Sequence, residues 1–155
     1  MNENKSKLSV DRFSFQLGMI NCFVEMVACG VKKLALSPPL KPEDYKAIQS
    51  ASETMVKGFG IRSYLEKNLM ITKLQSEEFT RNKWSVLYYK DEKVLDAYQA
   101  LKKEQKSLME RGFYDEKASM DISHRFMRLL SYPDEVIEEK LRKTKSGQPF
   151  MLVDD

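Results

Sequence analysis

The chain has few of the residues that build metal and thiol sites. Its 155 residues include one histidine, His124, and two cysteines. Zinc sites most often take four ligands from Cys and His, so a single chain cannot complete such a site here. Only 6 Gly and 5 Pro are present, which excludes collagen-like and low-complexity classes. We expect no metal and no cofactor.

The chain also lacks a dominant charge and a long uncharged apolar run. Its 26 Lys and Arg stand against 23 Asp and Glu, for a net charge of +3. Interspersed charges of both signs are typical of an ordinary soluble surface, which argues against nucleic-acid binding. An RNA-binding alternative would use a basic set of Lys102, Lys103, Lys106, Arg125 and Arg128. The most apolar stretch, 13–36, contains Glu25, Lys32 and Lys33, so we expect no membrane span.

The two cysteines indicate a reducing compartment. Cys22 and Cys29 lie seven residues apart in a predicted helix, which places their Cα atoms ~10 Å from each other. A disulfide needs Cα atoms within about 7 Å, so the two cannot pair within the chain. We expect two buried, unpaired thiols. The polar first residues show no secretory signal, and the prediction is a cytoplasmic protein.

The spacing of apolar residues predicts an all-α protein, an irregular bundle of five to six helices in one domain spanning 1–155. The first helix, about 11–34, is apolar nearly all round and is expected to be buried in the core. A second helix starts at Pro42 and ends near Gly58, and a third covers about 61–74. Two shorter helices end near Leu130 and Lys143. A polar tail, 1–8, and a loose tail, 144–155, with an apolar patch at Phe150–Val153, flank the bundle.

One long helix, about 76–111, gives the clearest periodic signal. Apolar residues recur in steps of three and four from Trp84 through Leu101 to Leu108, over about 35 residues and ~50 Å. The alternative is a strand at 84–89, which β-branched and aromatic residues favour. The helix is preferred because no partner strand is recognised elsewhere. A break near Lys90–Asp91 stays open.

A small polar stripe interrupts the apolar surface of the first helix. It comprises Ser14, Gly18, Asn21, Glu25, Cys29 and Lys32. In one interpretation the stripe faces solvent. In the other it faces a cleft, where Glu25 is a partly buried carboxylate able to act as a base or to bind a cation. Asn21 would then lie one turn away and Lys32 two turns away.

Two further places show weaker signals. His124 shares a helix face with Asp121 and Arg128, and an aspartate can orient a histidine. Gly60 and Arg62 lie at the start of the predicted third helix, whose free backbone N–H groups would attract an anion.

The leading functional hypothesis is a non-catalytic binding or assembly protein that forms a homodimer or holds a protein partner. It depends on the lack of a recognisable catalytic constellation and on a long helix that a second subunit would cover. The alternative is an enzyme, or a protein that binds a small ligand or metal, with an interhelical site centred on Glu25. Asn21, Lys32, His124 and Arg128 would assist, and tyrosines such as Tyr132 would line the pocket.

Overall fold

The computed structural model describes residues 9–143. The predicted tails 1–8 and 144–155, with the apolar patch Phe150–Val153, lie outside the described residues. Within them the order of elements is α1 (Arg12–Ala28), β1 (Leu34–Leu36), α2 (Pro42–Gly58), β2 (Arg62–Glu66), α3 (Glu77–Thr80), β3 (Ser85–Tyr89), α4 (Glu92–Glu110), α5 (Glu116–Leu129) and α6 (Asp134–Arg142). None of these helices is long and apolar enough to cross a bilayer.

The prediction of an all-α bundle is wrong, because the helices pack around a three-stranded antiparallel sheet. Its strand order is β1-β3-β2. Tyr88 in the central strand lies opposite Ala35 on one side and Ser63 on the other. Since both edge strands are antiparallel to β3, they run parallel to each other, and α2 connects them.

Strand β3 is buried on both faces of the sheet. Val86 and Tyr88 belong to a core cluster with side chains of α1 and α2. Leu87 and Tyr89 belong to a second cluster with side chains of α4 and α5. Successive side chains of a strand point to opposite faces, so this strand separates two apolar layers. A strand covered on both sides has no polar alternation, and its apolar run resembles a buried helix.

The predicted long helix at 76–111 is therefore wrong as well. Ser76 caps the short helix α3 by accepting a hydrogen bond from the Phe79 N–H, and the chain then enters β3. Helix α4 starts only after Asp91, whose carboxylate accepts a hydrogen bond of 3.0 Å from the Lys93 N–H. The break considered at Lys90–Asp91 is thus where strand gives way to helix. The remaining periodic positions form the buried face of α4.

The first and third predicted helices also need correction. Helix α1 ends at Ala28 rather than near residue 34, and 62–66 is a strand rather than helix. Helix α1 is not buried all round, since Cys22 and Cys29 are exposed and unpaired. Only one face of α1 is buried, and an apolar composition on the other face misled the prediction.

Candidate functional site

The end of α1 directs the chain toward a cavity. The Gly30 N–H donates to the Val27 carbonyl at 3.1 Å, and the Val31 N–H donates to the Met26 carbonyl at 2.9 Å. This pair of bonds is a Schellman motif, which needs a left-handed residue after the cap. Gly30 fills that place with φ +79°, and the turn leads to Lys32.

The end of α5 uses the same motif with a serine in place of glycine. The Ser131 N–H donates to the Arg128 carbonyl at 2.9 Å, and the Tyr132 N–H donates to the Met127 carbonyl at 3.1 Å. Ser131 has φ +67°, a conformation that costs a non-glycine residue about 1–2 kcal/mol. Its hydroxyl oxygen accepts a hydrogen bond of 2.9 Å from the Lys33 N–H, which helps to offset this strain.

These two helix ends are joined by a second hydrogen bond. The Lys32 ammonium donates to the Leu130 carbonyl at 2.8 Å. Leu130 caps α5, so its carbonyl lies at the negative end of the helix dipole, where a cation is favourable. The contact fixes the Lys32 side chain between the two turns.

A cavity of about 380 Å³ opens beside this junction. Small-molecule sites usually measure about 300–1,000 Å³, so the volume suits a small ligand. The apolar part of its wall consists of Met19, Phe23, Leu36, Leu74 and Leu130, and the polar part of Lys32, Ser37, Gln75, Tyr132 and Lys140. We call this space the Lys32–Lys140 cavity.

Two cations approach one aromatic ring at the wall of the Lys32–Lys140 cavity. The ammonium nitrogen of Lys32 lies 5.1 Å from the centre of the Tyr132 ring, and that of Lys140 lies 5.2 Å from it. Both distances are within the range of cation–π attraction. Neither ammonium group forms an ion pair with a carboxylate of residues 9–143. The cavity therefore carries a local positive charge.

Burial at this cavity shifts the pKa values of a lysine and a tyrosine in its wall. Desolvation lowers the pKa of Lys32 below its ordinary value, because an ammonium ion is less stable away from water. Desolvation raises the pKa of Tyr132 for the corresponding reason, since the phenolate is the charged form. Burial removes part of the water that stabilises the Lys32 ammonium group. An anion bound in the cavity would replace part of that stabilisation.

The other polar side chains of the wall are engaged locally. The Ser37 hydroxyl donates to the Pro38 carbonyl at 2.9 Å and accepts from the Val86 N–H at 2.9 Å. The Gln75 side-chain oxygen is buried and accepts no hydrogen bond from the residues that the structure describes. The described lining contains no carboxylate, imidazole or thiol, and its titratable side chains are Lys32, Tyr132 and Lys140.

The polar stripe of α1 divides between solvent and the cavity. Asn21, Glu25 and Cys29 are exposed, and so are Ser14 and Gly18. The burial that the cleft interpretation requires of Glu25 is therefore not found. Lys32 is the member of the stripe that lines the cavity.

The residues around His124 do not form a shared network. Asp121 pairs with Arg125 at 3.2 Å, and Arg128 pairs with Asp134 at 3.1 Å. His124 is half-buried on α5 and is not part of the cavity wall. Lys32 lines the cavity, whereas His124 and Arg128 are not part of its described wall.

The predicted anion site at Gly60 and Arg62 loses its structural basis. Gly60 ends α2 with φ +66°, but the residues after it form β2 rather than a helix. The Arg62 guanidinium pairs with the Glu92 carboxylate at 3.0 Å. The free N–H groups of a helix N-terminus are not present at this position.

Most members of the basic set are paired with carboxylates. The pairs are Lys102–Glu66 at 2.8 Å, Lys106–Glu110 at 3.9 Å, Arg125–Glu104 at 2.8 Å and Arg128–Asp134 at 3.1 Å. Nucleic-acid affinity depends on cations that can replace the counterions of phosphate. Four of the five cations in the set therefore have a carboxylate neighbour.

Sequence reasoning missed most of the cavity. Tyr132 was recognised as a pocket candidate, but Lys140 and Leu74 had no signal of their own. Lys140 reaches the cavity because α6 folds back after Pro133, which caps that helix.

Comparisons with protein-family models, curated proteins and solved structures found no match. Within residues 9–143 no group of three or more His, Cys, Asp or Glu side chains is placed to hold a metal ion.

Proposed function

We propose that the protein is a non-catalytic binding protein that holds a small molecule in the Lys32–Lys140 cavity. The observation that carries the proposal is the cavity of about 380 Å³ with an apolar wall and two lysines. Binding sites of this size are mostly apolar, with a few polar groups that orient the ligand. The ligand would lie at the junction of the α1 and α5 ends.

A binding role is favoured over catalysis by the chemistry of the described wall. General acid–base catalysis needs a titratable group within hydrogen-bond reach of the reacting proton. The Ser37 hydroxyl is occupied by two backbone partners. The Lys32 ammonium is held by the Leu130 carbonyl. Because the described wall contributes neither a carboxylate nor an imidazole, we propose that the ligand is held rather than transformed.

A cavity-filling variant tests this proposal. Leu74→Trp places a larger side chain in the wall, whereas Gln99→Trp adds the same ring on the exposed face of α4. Fluorescence titration with 1-anilinonaphthalene-8-sulfonate, an apolar dye with one anionic group, reports occupancy. We expect wild type and Gln99→Trp to bind equally and Leu74→Trp to bind at least tenfold more weakly. Equal binding by all three proteins would refute the cavity as the binding site.

Self-association is a second candidate, favoured by exposed apolar side chains. Val31 is 67% exposed, Phe113 is 59% exposed and Met109 is 49% exposed. Phe113 and Met109 lie at the same end of α4, so a partner subunit could cover both. Sedimentation velocity of wild type and Phe113→Glu tests a homodimer: we expect a dimer that dissociates in the variant. A wild-type monomer at all concentrations would exclude this candidate.

We also propose a reducing, cytoplasmic environment. Cys22 and Cys29 are both exposed and unpaired, and exposed thiols persist where glutathione and thioredoxin keep them reduced. The proposal of a reducing environment depends on the two thiols alone and not on the cavity.

A further inference from the structure

We infer that the ligand of the Lys32–Lys140 cavity is an amphipathic carboxylic acid, with one carboxylate beside the two lysines and an apolar body against the α1 side of the wall. This inference rests on the proposed binding function and specifies the class of molecule.

The lysines supply unused hydrogen-bond donors. An ammonium group has three N–H donors, and Lys32 uses one for the Leu130 carbonyl. Lys140 contacts the Tyr132 ring and donates no hydrogen bond within the part of the chain that the structure describes. Each nitrogen is close to 5 Å from the same ring centre, and both residues line the cavity, so both cations belong to the wall around Tyr132. An anionic oxygen there would receive charge-assisted hydrogen bonds.

The balance of charge favours a single anionic group. The Leu130 carbonyl, at the negative end of α5, already offsets part of the Lys32 charge. The described wall contributes no arginine, whose planar fork binds phosphate groups through two hydrogen bonds. A nucleotide or polyphosphate would leave charges unpaired in a partly apolar space, which is costly. A single carboxylate would pair with Lys140 and with the share of the Lys32 charge that the Leu130 carbonyl leaves uncompensated.

Most of the remaining wall is apolar and favours an apolar ligand body. Met19 and Phe23 come from successive turns of α1, while Leu36 and Leu74 continue the same surface. Each methylene group that is buried against this wall tightens binding, because apolar surface leaves water. An aliphatic or aromatic body of modest size therefore adds affinity, whereas a sugar or a second charged group would lose it.

A series of eight-carbon compounds tests the head group with the apolar body held constant. Isothermal titration calorimetry of the full chain compares octanoate, octanol and octylamine. We expect octanoate to bind at least tenfold more tightly than octanol, and octylamine more weakly than octanol. Octanol or octylamine binding as tightly as octanoate would overturn the carboxylate inference while leaving the proposed binding function intact. If octanoate, octanol and octylamine all fail to bind and Leu74→Trp binds the dye as wild type does, both the carboxylate inference and the proposed binding function are overturned.

Variants of Lys140 test the assigned partner of the carboxylate. Lys140→Met removes the charge and keeps an unbranched side chain, and Lys140→Arg keeps the charge. Lys103→Met is the matched control, because Lys103 is exposed on α4. We expect octanoate affinity to fall at least fivefold in Lys140→Met, to recover in Lys140→Arg and to stay unchanged in Lys103→Met. Octanol affinity should be equal in all four proteins. An equal loss for octanoate and octanol in Lys140→Met would contradict a role in binding the carboxylate.

Discussion

The Lys32 ammonium group donates a hydrogen bond of 2.8 Å to the backbone carbonyl of Leu130, 98 residues later in the chain. This contact ties the end of α1 to the end of α5 beside the cavity. The turn after α1 and the turn after α5 are far apart in sequence, but the Lys32 side chain connects them. The stability of the junction and the charge of the proposed site depend on the same side chain.

Replacing Lys32 by methionine should weaken the junction. The Leu130 carbonyl would lose its charged donor, and the free energy of unfolding should fall by about 1–2 kcal/mol. The exposed neighbour Lys33 provides the control, and Lys33→Met should change the stability by no more than about 0.5 kcal/mol. Urea unfolding followed by circular dichroism measures both. Similar stabilities of the two variants would show that the bond to Leu130 contributes nothing.

Ser131 combines a strained backbone with a useful hydroxyl group. Ser131→Ala keeps the left-handed strain and loses the bond to the Lys33 N–H, so it should lower the unfolding free energy by about 1 kcal/mol. Ser131→Gly loses the same bond but relieves the strain, and the two effects should nearly cancel. Thermal unfolding of the pair measures the difference. An alanine variant as stable as the glycine variant would argue against strain at this turn.

The buried carboxylate of Glu66 should matter more for stability than any surface acid. It accepts hydrogen bonds from the Tyr98 hydroxyl at 2.9 Å, the Lys102 ammonium at 2.8 Å and the Asn68 N–H at 2.9 Å. Glu66→Leu leaves Lys102 without its anion in a partly buried place, which should cost about 3–5 kcal/mol.

The exposed pair of Glu104 and Arg125 supplies the control for Glu66. Glu104→Leu should cost less than about 1 kcal/mol, because surface ion pairs contribute little. Guanidinium unfolding of the two variants compares the costs. If the free energy of unfolding fell by the same small amount in both variants, the hydrogen bonds of Glu66 would contribute no more to stability than a surface ion pair.

Tyr88 should make the protein sensitive to alkali. Burial raises its pKa to about 12, although the hydrogen bond with Ser52 acts in the opposite direction. Below pH 10 the hydroxyl is neutral in both states. Between about pH 10 and pH 12 the unfolded chain loses the proton while the folded chain keeps it, so stability falls as the pH rises.

Tyr88→Phe tests the alkaline effect. The variant removes the titrating group, so its stability should decline less steeply above pH 10 than that of wild type. At neutral pH it should be about 1 kcal/mol less stable, because the Ser52 hydroxyl loses its partner. Exposed Tyr64→Phe is the control, and urea unfolding at several pH values gives the slopes. An unchanged slope in Tyr88→Phe would contradict the assignment.

The sequence predicted the helices that have local signals. Helix α2 begins at Pro42 and ends at Gly58 as expected, because Pro42 suits the first helical position and Gly60 takes the left-handed conformation after the cap. The last two helices are also close to their expected positions, and Asp115 caps α5 as a side-chain acceptor. These signals depend on residues within a few positions of each helix end.

The sheet could not be predicted because its pairing is non-local. Leu34–Leu36 and Arg62–Glu66 are short edge strands without clear alternation, and β3 is buried on both faces. A three-residue strand has no recognisable pattern of its own and is defined by its pairing with β3, which follows about fifty residues later. The prediction of helix at 84–89 failed for this reason.

The cavity was recognised only in part for the same reason. Lys32 was a candidate as a member of the stripe with Glu25, yet it acts with Leu130, Tyr132 and Lys140 from the other end of the chain. Spacing along one helix identifies a shared face, but it does not show which distant turn lies against that face.

A crystal structure of the full chain with octanoate would test the central claim most directly. The account predicts one octanoate in the Lys32–Lys140 cavity, with its carboxylate within hydrogen-bond distance of at least one of the two ammonium groups and its carbon chain against Met19, Phe23 and Leu74. A cavity that stays empty at saturating octanoate, or a carboxylate bound away from both lysines, would contradict it.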